Sequence, residues 1–149
     1  MSTINAGIED AVRDSLVLDP RLPDPEQVAV SADGDTVTLR GTVGSFSQRR
    51  AATDDAYDID GVDYVEDELK VRLLTESRRE DADIRGMALQ ILMWDSQVPA
   101  DLIDVKVDDG WVTLTGDVSY QFESDAAFED VADMLGVVGV TNNIRVTTP

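Results

Sequence analysis

Gly110-Trp111-Val112-Thr113-Leu114-Thr115-Gly116-Asp117-Val118 reads as a tight turn feeding a strand that ends at a second glycine. Val112, Leu114 and Val118 are apolar where Thr113, Thr115 and Asp117 are polar, the alternation of a strand with one buried face. The phrase occurs once before, as Gly34-Asp35-Thr36-Val37-Thr38-Leu39-Arg40-Gly41-Thr42-Val43. From Leu39 onward the two copies align at a constant offset of 75: Gly41 with Gly116, Ala52 with Ala127, Gly61 with Gly136, Val71 with Val146. Before that the offset is 76, pairing Ile8 with Ile84 and Gly34 with Gly110, which places a one-residue difference at the hairpin turn. The chain is therefore a two-copy repeat.

Outward from these strands, each copy has the same order. Ile4, Ile8, Val12 and Leu16 recur every four residues, as on the buried face of a helix. The prolines of Asp19-Pro20-Arg21-Leu22-Pro23-Asp24-Pro25 stop that helix. Val28-Ala29-Val30 is a strand, joined to Val37–Val43 through a turn at Asp33-Gly34-Asp35. Ser45 can cap a helix whose inner face is Phe46, Arg49, Ala52, Ala56 and Ile59, with Gly61 as its stop. Val62, Tyr64 or Val65, Leu69, Val71 and Leu73 form a third strand. In the second copy Ile84, Met87, Ala88, Ile91 and Leu92 make the first helix face, and Ile103, Val105 and Val107 a strand. Phe122, Ala127, Val131 and Met134 or Leu135 make the second helix face, and Val137, Val140, Ile144 and Val146 the last strand. The fold class is α+β: two tandem α-β-β-α-β units, each a small three-stranded mixed sheet with two helices on one face. Residues 1–74 form the first domain, 75–80 a polar linker and 81–149 the second domain.

Composition narrows the chemistry. There is no cysteine and no histidine, so the chain offers no thiol nucleophile, no thiolate zinc site and no imidazole base. Twelve basic residues face 31 acidic ones, a net charge of -19. Residues 1–74 hold 16 acids and 7 bases, and residues 75–149 hold 15 and 5. Neither half is a basic arm, so nucleic acid is an unsuitable partner, and anionic lipid is repelled by the same field. No apolar run is long enough to span a membrane. Residues 1–10 have neither a basic region nor an apolar core of a secretory signal. As written the sequence predicts a soluble cytoplasmic protein, and a periplasmic or envelope one if a signal has been trimmed.

The ordered pieces Val37-Thr38-Leu39-Arg40-Gly41-Thr42-Val43 with Gly61-Val62-Asp63-Tyr64-Val65 resemble the BON-domain family (bacterial OsmY and nodulation). In the second copy the pieces are Val112–Val118 with Gly136-Val137-Val138-Gly139-Val140-Thr141-Asn142-Asn143. The resemblance covers nearly the whole chain as two tandem copies. It implies a non-enzymatic module tied to osmotic stress and to attachment at phospholipid surfaces. The first copy departs from it with Asp67-Glu68 where the second has Asn142-Asn143.

Candidate functional residues come from what is unlike between the copies. Trp94 closes a helix face near Met87 and Met93, and Trp111 sits at the second hairpin turn. Trp and Met favour interfaces, so these four form a candidate docking patch for a phospholipid surface or a protein partner. The alternative is that Trp94 caps the second core and Trp111 shields the turn. The run Asp54, Asp55, Asp58, Asp60, Asp63, Glu66, Asp67, Glu68 offers oxygen ligands for potassium or calcium. It lacks EF-hand spacing, because Ala56 stands five before Gly61; the bland reading is a solvated helix face. Gly41 and Gly116 belong to no phosphate-binding pattern and read as points of close backbone approach. Arg49-Arg50 and Arg78-Arg79 read as partners of local acids. No catalytic residue, metal ligand set or cofactor is assigned.

Overall fold

A computed structural model describes residues 6–147; the predicted contribution of Ile4 lies outside the described residues. The chain divides into two compact units, 1–72 and 73–149. The first unit contains α1 (Ala6–Leu18), β1 (Val28–Asp33), β2 (Thr36–Val43), α2 (Phe46–Tyr57) and β3 (Tyr64–Val71). The second contains α3 (Asp81–Trp94), β4 (Ile103–Asp108), β5 (Trp111–Val118), α4 (Gln121–Ala132) and β6 (Gly139–Val146). Each unit is one three-stranded sheet, β1-β2-β3 or β4-β5-β6. The hairpin pair is antiparallel, and the strand after the second helix returns parallel to the middle one. This is the mixed sheet that the α-β-β-α-β order predicts.

The cores follow the alternation in the sequence. Val37, Leu39 and Val43 are buried beneath Val12, Leu16, Ala51, Ala52 and Ala56, with Leu69 added from β3. In the second unit Val112, Leu114 and Val118 are buried with Ile84, Ala88, Leu92, Ala127 and Val131. Ser45 caps α2, accepting from Gln48 N–H at 3.1 Å. Gly41 and Gly116 have φ of 125° and 144°. A Cβ at either would collide with a backbone carbonyl, that of Gln27 or Leu102. These are the close approaches read from the sequence.

Four expectations are corrected. The one-residue difference is not at the hairpin turn. Asp33 pairs with Thr36 and Asp108 with Trp111, so both turns hold two residues. Gly34 (φ 63°) therefore matches Asp109 (φ 50°), and Gly110 (φ 82°) follows one place later. Gly34 occupies the first turn position, whereas Asp109-Gly110 takes positive φ at both, the two alternatives compatible with strand twist. The extra residue lies instead between Pro23 and the short helical turn Pro25–Gln27, whose counterpart is Ala100–Leu102. Second, Met87 is not on the inner face of α3; it is exposed, and Ile91 is half-buried. The narrow stripe Ile84, Ala88, Leu92 suffices to cover so small a sheet. Third, Phe122 lies outside the core, stacked on exposed Tyr120 with ring centroids 5.6 Å apart. Fourth, α2 and α4 end at Tyr57 and Ala132, so Gly61 and Gly136 bend the connecting turns rather than capping the helices.

The β1 edge of the first sheet is engaged by side chains of α1. Glu9 accepts the Ala32 N–H at 3.0 Å, and Arg13 donates to the Val30 carbonyl at 3.1 Å. In the second unit Arg85 donates to the Val105 carbonyl at 2.9 Å.

Candidate functional site

α3 carries three large exposed apolar side chains. Met87 is 52% exposed, Met93 70% and Trp94 72%. Met87, Ile91 and Trp94 recur at spacings of four and three, which sets them along one helix face. Beside that face lies a groove of about 740 Å³ lined by Ala82, Gly86, Met87, Ile91, Met134 and Leu135, with Arg79 and Asp83 at its rim. Gly86 leaves open space where a side chain would stand. The first unit repeats the feature with smaller residues: Val17 and Leu18, which match Met93 and Trp94 at the offset of 76, are exposed at the end of α1. Met87 and Trp94 thus lie two turns apart along one face of α3, and Met93 is exposed on a neighbouring face.

Trp111 is elsewhere. It is the first residue of β5, and the alternation that buries Val112 turns Trp111 to the sheet face away from the helices. It is 41% exposed. Its Nε1 donates to Thr141 Oγ1 at 2.7 Å, and the indole lies over Gly139, where a Cβ would overlap the ring. The paired positions in the first unit are Thr36 and Tyr64. Each sheet therefore carries one aromatic at this pair, on β3 in one unit and on β5 in the other. Reading each strand alone leaves Trp111 with no aromatic counterpart; the register supplies Tyr64.

The acidic run is not a uniform solvated face. Asp67 pairs with Arg49 at 2.7 Å and Glu68 with Arg40 at 2.8 Å. Asp55 is 8% exposed. Among the described residues one trio, Asp81, Asp108 and Asp109, brings carboxylate oxygens within 4.8 Å of one another. Asp81 there accepts the N–H groups of Asp109 and Gly110 at 2.9 and 3.0 Å, which fixes the hairpin turn without any ion.

A repeated carboxyl pair joins the two helices of each unit, and the sequence reading passed over it. Asp19 follows α1 and accepts the Arg21 N–H at 2.9 Å; Asp95 follows α3 and accepts the Gln97 N–H at 2.9 Å. Each also hydrogen-bonds a carboxyl from the second helix, Asp55 for Asp19 and Asp130 for Asp95. Asp55 Oδ2 and Asp130 Oδ2 are buried and no group donates to them. Burial, followed by the bond to Asp19, pushes the Asp55 carboxyl up to about 7. Burial and the bond to Asp95 push Asp130 up to about 7 as well. The Arg21 guanidinium holds Asp19 well below the usual carboxylate range, and the bond from Asp130 lowers Asp95. The signal was available: acids stand at matching places in both copies, 19 with 95 and 55 with 130, the second of each beside core alanines.

Among the described residues no helix is long and apolar enough to cross a membrane.

The BON domain matches the chain twice, over residues 5–72 and 80–148. Osmotically-inducible protein Y of Escherichia coli (strain K12) is 32% identical over 122 residues, covering 79% of this chain and 61% of that protein. The chain thus spans less than two thirds of the length of this relative. Among solved structures, CdsD, a structural protein of the type III secretion system of Chlamydia trachomatis, aligns over 96% of this chain and 63% of its own at a TM-score of 0.42 and 12% identity. Its C-terminal domain aligns over 93% of this chain and 66% of its own at a TM-score of 0.39 and 12% identity. Two family matches that together span nearly all of the repeat place this chain in the BON-domain family.

Proposed function

We propose that the chain is a non-catalytic, osmotic-stress-related binding module that docks on phospholipid surfaces through the end of α3. The observation that carries this reading is the exposure of Met87, Met93 and Trp94 on one helix, with Met87 lining a groove, on a protein of net charge -19. Leaving three such side chains in water forgoes roughly 1.5–3 kcal/mol apiece, which an apolar partner would return. Trp and Met suit the lipid boundary, being broad, polarisable and tolerant of irregular packing. The charge sets the lipid: zwitterionic headgroups accept this surface and anionic ones repel it. Relatedness to an osmotically inducible protein supports the stress context.

Co-sedimentation with phosphatidylcholine vesicles tests this. Wild type should sediment with them, and less with vesicles containing anionic lipid, the difference shrinking at high salt. Trp94→Ala should lose most of the binding while changing stability by no more than about 0.5 kcal/mol, because the side chain is exposed. A loss of about 3–5 kcal/mol would instead mark Trp94 as a core residue and remove the patch. Absence of vesicle binding under all conditions would overturn the lipid reading. A melting shift specific to potassium or calcium would then favour a cation-binding module, and indifference to both a protein partner.

A further inference from the structure

We propose that each unit is clasped by one proton shared between the aspartate that follows its first helix and an aspartate of its second helix that has a buried carboxyl oxygen. The clasp loosens as mildly acidic conditions give way to neutral ones, freeing the helix end that carries Val17-Leu18 or Met93-Trp94. This goes beyond docking and does not depend on it.

The geometry carries the argument. Two carboxyl groups face each other at matching positions of both units, Asp19 with Asp55 and Asp95 with Asp130. Each buried Oδ2, of Asp55 and of Asp130, has no other donor. Two ionised carboxylates at hydrogen-bonding distance repel, whereas one neutral and one ionised carboxyl form a strong charge-assisted bond. The proton therefore belongs to the pair. Asp19 and Asp95 are fixed in place by the N–H two residues on, so each clasp ties a rigid turn to the neighbouring helix.

The surrounding charges decide how the two clasps differ. In the first unit Arg21 lies 2.8 Å from Asp19 and 3.4 Å from Asp55. Asp58, just past the end of α2, bears on Asp55, and Asp54 bears on Arg21. β3 presents Asp67 to α2, already paired with Arg49. In the second unit Glu129 bears on Asp130 from its own helix, and β6 presents the neutral Asn142 to α4. The buried residues of β2 and β5 are apolar. Gln97 stands where Arg21 does, so the second pair lacks the guanidinium that Arg21 gives the first.

The sign follows from linkage. Folded Asp130 keeps its proton to about pH 7, whereas an opened chain releases it near the ordinary aspartate value of about 4. Opening sheds a proton, so its equilibrium constant rises by up to about tenfold per pH unit between those limits and levels off above them. The lowered carboxyls, Asp19 and Asp95, act oppositely: their stabilisation is present above about pH 4 and is lost below it. Mildly acidic pH is the optimum.

Hydrogen exchange on the full chain, corrected for the intrinsic rate, reads this directly. In wild type, protection over residues 89–98 should fall by roughly tenfold or more from pH 5 to pH 7.5. Asp130→Asn supplies an N–H where the shared proton sits, so it should hold protection at its pH 5 level throughout. Residues 13–22 of that variant should keep their pH dependence, and Asp55→Asn should reverse the pattern. Wild-type protection that does not change with pH overturns the proposal, as does unchanged pH dependence in Asp130→Asn. Failure of Asp130→Asn to fold also overturns it, since the amide matches the neutral acid in shape.

Discussion

Arg49 Nε lies 2.7 Å from Asp67 Oδ2, tying α2 to β3. The matching residues of the second unit, Ser124 and Asn142, make the same tie without charge, Asn142 Nδ2 donating to Ser124 Oγ at 3.0 Å. In both units the residue on the strand also accepts the N–H two places on, from Leu69 or Ile144. Asp67→Asn alone should therefore destabilise the first unit by about 1–3 kcal/mol, because a half-buried guanidinium loses its carboxylate. Adding Arg49→Ser should recover a large part of that loss by recreating the second unit's pair. A double-mutant cycle from urea unfolding measures the coupling; additive effects would show that the two positions act independently.

Trp111 and Gly139 form a second exchangeable pair. Gly139→Ala should displace the indole, abolish its bond to Thr141 and cost about 1–3 kcal/mol through overpacking. The near-ultraviolet circular dichroism of tryptophan should fall with it. The double change Trp111→Thr with Gly139→Tyr copies the Thr36–Tyr64 arrangement and should restore stability to within about 1 kcal/mol.

The glycines divide sharply by surroundings. Gly116→Ala meets both a strained φ and the Leu102 carbonyl, and should cost more than about 3 kcal/mol. Gly34→Ala meets open space, and should cost only about 1–2 kcal/mol for its left-handed backbone. Thermal melts of the two variants make the comparison; equal losses would mean that φ alone matters at both sites.

The architecture was legible because it rests on local rules: period-two strands, helix stripes, prolines and glycines stated twice. What escaped was set by tertiary contact. Met87 lies next to buried Ala88 in sequence and is apolar, so only the narrowness of the sheet explains its exposure. Asp55 sits in a run of acids, and composition assigns such a run to solvent. Its burial follows from the neighbouring Ala51, Ala52 and Ala56, whose small side chains draw α2 close to the rest of the unit. The pairing of Trp111 with Gly139 depends on strand register, and register between β5 and β6 is set by a crossover through a whole helix.

The hold of Glu9 and Arg13 on the edge of β1 has a consequence for crowding. A sheet edge with unsatisfied amide groups is a template on which another chain can add a strand and begin a fibril. Here the Ala32 N–H and the Val30 carbonyl are already taken by side chains of the same unit. An incoming strand would have to break two hydrogen bonds and dislodge a glutamate–arginine pair before gaining its first rung. That edge resists aggregation when water is scarce and proteins are forced together.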